Sequence, residues 1–403
     1  MPKVGIVYAH GSARPAEIVL AGRRLCEPVF IVNGRSPGIP GHFCDVTDLE
    51  PDAAARKIMD LGVEGITTFS DPQVIRTAEI AAAGGMPYHS VDTARACRDK
   101  FLQRKILADA GVGIVRSQLV NDPADLPEAV AEVGLPVVVK PQYGMGSIDT
   151  VRLDSAAEVR TWVDEHENMP RNTITQGYVV EELLVGDPAI AGPEWGDYVG
   201  IASVVENSVV RDVCLMGRFP LSPPFREAGI FVPPTVGSSV EQSCFDLAAA
   251  AVLALGIENS VTDGEIKLTA DGPRIIEING RPAGYLSEML RAWSGFDPTR
   301  AALKLALGQP VGEIPPLPDG VVYKRFVQVP QYATKLVAVN EPSAAEAIES
   351  VIRYDAYRGP GDTIDWREGT GSHIGVVYGQ AADHERAMAD TDAAIEALAI
   401  SYE

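Results

Sequence analysis

Asp263-Gly264-Glu265-Ile266-Lys267-Leu268, then Thr269-Ala270-Asp271-Gly272-Pro273, then Arg274-Ile275-Ile276-Glu277-Ile278-Asn279-Gly280-Arg281 is the stretch on which the fold turns. Glu265–Leu268 and Arg274–Ile278 read as strands, and Asp271-Gly272 between them is a strong hairpin signal. Period-two alternation puts Glu265 and Lys267 on one face of the first strand. Glu277 and Asn279 share a face of the second, with Arg281 just beyond. If the hairpin pairs them, Glu265 and Glu277 converge with Asn279 into an all-oxygen site. Hard oxygens of that kind suit Mg2+, which keeps some water and takes its remaining ligands from substrate phosphates. A lone carboxylate on a strand is usually a solvated face; two carboxylates, an amide and an arginine on adjoining strands argue against that plainer reading.

Upstream lies Val137-Val138-Val139-Lys140-Pro141-Gln142-Tyr143-Gly144-Met145-Gly146-Ser147. A lysine at the end of a buried strand has a fixed stem and a cation aimed outward. Gly144 and Gly146 allow a loop whose backbone N–H groups approach an anion closely. The run is neither a Walker A loop nor a Rossmann fingerprint. A strand-end lysine followed by a plain glycine turn explains it equally well when taken alone. Tyr178-Val179-Val180-Glu181-Glu182-Leu183-Leu184, with Asp197-Tyr198 downstream, is a third candidate. A segment passing from strand to loop can offer backbone groups to a purine edge, and a later carboxylate can accept from ribose hydroxyls.

Further out, Val4–Tyr8, a helical pattern at Ala16–Leu25, Val29–Val32, Gly65–Phe69 and the Ile75–Ala83 segment alternate. Strands alternating with helices predict an open parallel, doubly wound α/β sheet over residues 1–95. His10, Gly11 and Ser12 follow the first strand, where open α/β sheets place ligands; a plain loop is an equal reading. Arg98–Ala110 and Cys244–Leu255 read as helices. Leu135–Lys140, Tyr178–Leu184, Val199–Val205 and Val209–Met216 read as strands. Gln309–Gly320 is rich in Pro and Gly and marks a boundary; Val321–Val329, Lys335–Val339 and His373–Tyr378 follow as strands, then a last helix from about Asp383.

The 403 residues are 46% hydrophobic and 22% charged, which excludes a wholly disordered chain. The formal charge of −21, without a basic stripe, argues against nucleic acid or an anionic membrane as the main partner. Five dispersed cysteines, Cys26, Cys44, Cys97, Cys214 and Cys244, without metal spacing, read as reduced buried thiols of a cytoplasmic protein.

It is the order of these elements that is specific. Lys100 opening a helix, Lys140 with its glycine loop, Glu181-Glu182, then Glu265…Glu277-x-Asn279-x-Arg281 resembles the ATP-grasp superfamily of carboxylate–amine ligases. Pro224–Gly229 and Glu277–Arg281 are most similar to the L-amino-acid ligases, which make dipeptides. The resemblance implies an α/β and α+β architecture: a domain over 1–95, an ATP-grasp domain over 96–310 with a lid at about 115–180, and a C-terminal α+β lobe over 311–403.

It further implies that Lys100, Lys140 and, more loosely, Arg218 contact ATP phosphates beneath a loop containing Gly144, Gly146 and Ser147. Glu181, Glu182, Leu183 and Leu184 would hold adenine, and Asp197 the ribose. Glu265, Glu277 and Asn279 would bind magnesium, two ions with manganese as a substitute. Glu227, Gly229, Arg281 and Gly284 would meet substrate, with Arg281 offering a planar fork to the acyl phosphate and tetrahedral intermediate. Relatives commonly have Gly-His where this chain has Gly229-Ile230, so any role of that histidine is absent. The implied reaction is ATP-dependent amide formation through an acyl phosphate, releasing ADP and phosphate, in an enzyme whose default assembly is a homodimer. Two alternatives stand beside it: a related ligase for a nucleotide precursor or bicarbonate, and an ATP-binding regulatory protein without turnover.

Overall fold

A computed structural model describes residues 1–32, 42–167, 177–284 and 286–403. The first unit is a parallel sheet in the order β3-β2-β1-β4, from β1 (Lys3–Val7), β2 (Glu27–Val32), β3 (His42–Asp45) and β4 (Val63–Thr67). Helices Pro15–Gly22, Pro51–Asp60 and Val74–Gly84 accompany it, the first two opening with proline at the first helical position. Val4, Ile6 and Val7 are all buried because a parallel sheet is covered on both faces. The sequence reading found this parallel architecture but not β3 or the helix Pro51–Asp60.

A second, antiparallel sheet runs β5-β8-β6-β7, from β5 (Ser117–Val120), β6 (Val137–Pro141), β7 (Val151–Leu153) and β8 (Tyr178–Glu182). Val137, Val139 and Val180 pack under Leu126, Val130 and Trp162. Between these units Asp99 caps the helix Lys100–Asp109, its Oδ1 accepting from the N–H groups of Phe101 and Leu102, 3.0 Å each. The expected Arg98 start is therefore two residues early, because Asp99 holds the non-helical capping conformation.

The large sheet begins with β9 (Tyr198–Glu206), β10 (Val209–Arg218), β11 (Gly229–Val232), β12 (Ser260–Thr269), β13 (Gly272–Asn279) and β14 (Val321–Phe326). A small ribbon pairs β15 (Leu336–Ala338) with a terminal β18 (Ser401–Tyr402), and the large sheet is completed by β16 (Val351–Ala356) and β17 (Gly375–Ala381). Its order is β13-β12-β9-β10-β11-β14-β17-β16. The strands after Gln309–Gly320 thus extend the sheet that carries the Glu265–Glu277 hairpin. Helix Ser238–Ala254 covers one face over Ile201, Leu215, Ile266 and Ile278. On the other, Ala202, Met216, Ile230 and Val322 share a core with Ile6 and Phe30 of the first unit and with helices Leu286–Trp293 and Pro298–Ala306. All five cysteines are buried free thiols, and among the described residues no helix is long and apolar enough to cross a membrane.

Arg104 fastens three of these pieces together. Its guanidinium meets the Glu181 carboxylate on β8 at 2.8 and 2.9 Å and donates to the carbonyls of Ile275 and Ile276 on β13 at 2.9 and 2.6 Å. Removing one partner of a buried ion pair strands the other, at a cost of about 3–5 kcal/mol. Arg104→Met is expected to lower unfolding stability on that scale, about 3–5 kcal/mol by urea titration.

Candidate active site

The hairpin forms with its turn at Ala270-Asp271, one residue before the expected Asp271-Gly272, and a register shift between Glu265 and Ile266 places Glu265 opposite Glu277 and Asp263 opposite Asn279. Cross-strand pairs point to the same face, so the two carboxylates are neighbours. Glu265 is in turn opposite Gly200, and Gly200 opposite Met216, so the pair lies on the sheet face away from helix Ser238–Ala254. Burial and the Glu277 charge push the Glu265 carboxyl upward. Burial works against Glu277 as well, but the ammonium groups of Lys100 and Lys140 outweigh it and hold that carboxyl below the ordinary range.

Lys100 is the connection between loop and hairpin. Its Nζ stands 3.2 Å from Glu277 Oε2 and donates to the Gly144 carbonyl at 2.8 Å. Asp99 sets that position with its second oxygen, which accepts from Gln142 Nε2 at 2.7 Å and from the Tyr143 hydroxyl at 3.1 Å. Asn279 Nδ2 donates to Glu277 Oε1 at 3.2 Å, which turns the amide oxygen away from that carboxylate. Two carboxylates and an amide oxygen, one carboxylate destabilised by its neighbour, fit a hard divalent cation that completes its shell with water and phosphate. No group of three or more His, Cys, Asp or Glu suited to a metal occurs among the described residues.

Lys140 is buried and contacts Glu181 Oε2 at 2.8 Å, one of three donors its ammonium offers. Burial opposes the charge of Glu181, yet Arg104 and Lys140 hold its carboxyl down at about 2. Glu181 is paired on both sides, with Ser117 and with Val138, so its backbone belongs to the sheet. Glu182 is engaged by Arg116 at 3.0 Å and Arg274 at 3.4 Å, and the Leu183 N–H donates to the Pro136 carbonyl. Asp197 is ion-paired with Lys267 at 2.7 Å through one carboxylate oxygen.

The glycine loop is docked against the C-terminal lobe. Gly146 and Ser147 both have positive φ, +61° and +59°. The Gly146 carbonyl accepts from the Thr370 N–H at 2.8 Å, and Ser147 Oγ donates to the Phe225 carbonyl at 2.8 Å. The same Thr370 receives the Glu227 N–H on its hydroxyl at 3.2 Å, while Gln328 Nε2 donates to the Glu227 carbonyl at 2.6 Å. Glu227 is ion-paired with Arg218, whose Nη2 is 3.8 Å from Glu265. Gly229 opens β11, and Ile230 lies opposite Arg218 on one side and Lys324 on the other.

Arg281 departs from expectation. Its Nε and Nη2 donate to the two oxygens of Asp71 at 2.9 Å each, and Nη1 reaches Asp263 Oδ2 at 2.5 Å. The planar fork expected for an oxyanion lies on Asp71. Arg98 joins the group, 3.8 Å from Asp71 and donating to the Tyr143 carbonyl at 3.0 Å. Gly284 faces Ser12 of the first unit: a Cβ there would sit 3.7 Å from the Ser12 Cα. The structure therefore gathers Lys100, Lys140, Glu181, Arg218, Glu227, Glu265, Glu277, Asn279 and Arg281 around one cleft. Sequence reasoning missed Asp71, Arg98, Asp99, Arg104, Asp263 and Thr370. Two of them carried a local signal: Asp99 as a capping aspartate before a helix, and Asp263 two residues before Glu265 on the same strand face.

No family model matches the chain. Its sequence is 23% identical over 333 residues to the alanine–anticapsin ligase of Bacillus subtilis (strain 168), covering 75% of this chain and 70% of that one. The L-amino acid ligase of Bacillus licheniformis superposes over 100% of this chain and 99% of its own, with a TM-score of 0.83 at 20% identity. A carboxyaminoimidazole ribonucleotide synthase from an Aspergillus clavatus complex with ATP superposes with a TM-score of 0.75 at 16% identity, over 99% and 98% of the two chains. The fold is that of the ATP-grasp ligases.

A ligand at a hundred times its dissociation constant stabilises by about 2.7 kcal/mol. ATP with Mg2+ is expected to raise the melting temperature by several degrees, and EDTA to remove most of that gain. Glu265→Gln is expected to keep the melting temperature without ligand while weakening the Mg2+-dependent part about tenfold, read as a shifted Mg2+ midpoint.

Proposed function

We infer that the chain works as an ATP-grasp carboxylate–amine ligase: it is most like the L-amino-acid ligases, and it uses ATP to form a peptide bond between an amino acid or small carboxylate and an amino acid. The observation that carries this reading is Lys100 joining the glycine loop to Glu277, opposite Glu265 and beside Lys140. A free carboxylate does not acylate an amine in water, because its oxygen leaves poorly. Transfer of the γ-phosphoryl group makes an acyl phosphate, and such transfer rests on positioning and charge neutralisation.

Lys100 and Lys140 would hold the phosphates, Glu265, Glu277 and Asn279 the metal, and Leu183 and Leu184 the base. The metal would neutralise charge on the transferring phosphoryl group. Lys100, Lys140, Arg98, Arg104, Arg218 and Arg281 stand against Asp71, Glu181, Glu227, Asp263, Glu265 and Glu277, so the cleft is close to neutral before ATP enters. A triphosphate with about four negative charges is balanced by two divalent cations, which favours two magnesium ions over one. Arg281 would steady the acyl phosphate, and Glu227 and Gly284 would border the substrates. The Gly144–Ser147 loop, held by Thr370 and Phe225, would keep water from the acyl phosphate. In this reading residues 1–95 wall the substrate side, 96–310 grasp ATP with a lid at about 115–180, and 311–403 lock the loop.

Incubation with ATP, Mg2+ and pairs from an amino-acid panel is expected to release phosphate and ADP only with a productive pair, alongside a dipeptide identified by mass. AMP and pyrophosphate as products would overturn the acyl-phosphate route. Glu277→Ala is expected to reduce turnover at least about a hundredfold, since it removes a metal ligand and the partner of Lys100 together.

A further inference from the structure

The structure points to Asp71 of the N-terminal domain as a positioning residue for Arg281, setting how that guanidinium is presented to the reacting group; the inference rests on the ligase reading above. A guanidinium has five N–H groups. Nε and one Nη2 proton go to Asp71, and the two Nη1 protons go to Asp263 and the Pro282 carbonyl, the last at 3.2 Å. One Nη2 proton is left for a ligand. Arg281 therefore offers substrate a single, directed hydrogen bond in place of a two-pronged edge.

Asp71 is well built for this task. It opens a short 3-10 turn, Asp71–Gln73, at the end of β4 and is buried, 8% exposed. The backbone before it is fixed from β1: Thr68 Oγ1 donates to the Val7 carbonyl at 2.6 Å, and the Ser70 N–H returns to Thr68 Oγ1 at 3.1 Å. Arg98, on the segment leading to Lys100, stands on the same carboxylate. Two arginines and two aspartates buried at a domain junction are costly, and apolar side chains of like size are often as stable there. Their use is geometric: any shift of the N-terminal domain against the large sheet moves Asp71 and swings Arg281.

The test is a kinetic cycle. Asn at this position keeps the shape but opposes one guanidinium N–H with an amide N–H. Asp71→Asn is expected to lower kcat about tenfold or more with the ATP KM within about twofold, and Asp71→Glu to restore part of the loss. In an Arg281→Lys background the same change should cost less than about threefold, because Asp71 acts through Arg281. A kcat within twofold of the parent, or fully additive losses, would overturn the inference while leaving the ligase reading intact. If the parent protein joins no amino acids, that reading falls instead. The positioning claim is then read by hydrogen exchange, where Asp71→Asn must speed the amides of Gly280–Gly284 but not those of Val137–Val139. Unchanged exchange would overturn it.

Discussion

One ammonium group decides whether this molecule has a nucleotide cleft at all. Lys100 reaches the carbonyl of Gly144 with one proton and the carboxylate of Glu277 with another direction of its charge. The first partner belongs to the loop after β6, the second to β13, and Lys100 itself to the helix between the N-terminal unit and the lid. A charge-assisted contact of this kind is worth about 1.5–3 kcal/mol, but its larger consequence is placement. It ties the glycine loop after β6 to the Glu265–Glu277 hairpin and opposes the burial that would neutralise Glu277. Every other feature of the site refers to that distance.

Much of this was legible because it is local. The Asp271-Gly272 signal marks the hairpin, whose turn pairs Thr269 with Gly272, and a register shift between Glu265 and Ile266 then brings Glu265 opposite Glu277. The buried run Val137–Val139 likewise announces a strand ending in a lysine. What was not legible is where the counter-charges come from. Asp71 is 210 residues from Arg281, and Thr370 meets Gly146 across the fold. Neither has a neighbour in sequence that marks it, because an aspartate after a strand or a threonine in a glycine-rich turn is ordinary chemistry until the sheets are assembled. Sequence also could not say that Glu181 and Glu182 are held by arginines from other elements.

The Pro/Gly-rich stretch Gln309–Gly320 shows the same limit from the other side. It carries neither helix nor strand, as its composition requires, yet the sheet passes straight over it: β14 pairs with β11 along Gly229–Val232. Composition detects a break in regular structure, whereas pairing depends on strands 90 residues apart. The C-terminal lobe is thus joined to the hairpin sheet by backbone ladders, and the Thr370 turn that docks the glycine loop rides on the same framework.

Net charge is a poor guide to such a site. The chain as a whole carries −21, but the cleft sets basic and acidic side chains against one another almost one for one. Because each cation is already matched, none is free to bind phosphate tightly by attraction alone; ATP must enter with its own counter-ions or displace internal pairs. Displacing a pair such as Lys140–Glu181 would leave Glu181 with Arg104, which can keep it charged. Displacing Asp71 from Arg281 would break two 2.9 Å contacts at once and leave Asp71 only the longer 3.8 Å contact with Arg98. The single Lys140–Glu181 contact is therefore the easier to exchange, and the two-pronged Arg281–Asp71 pair the harder.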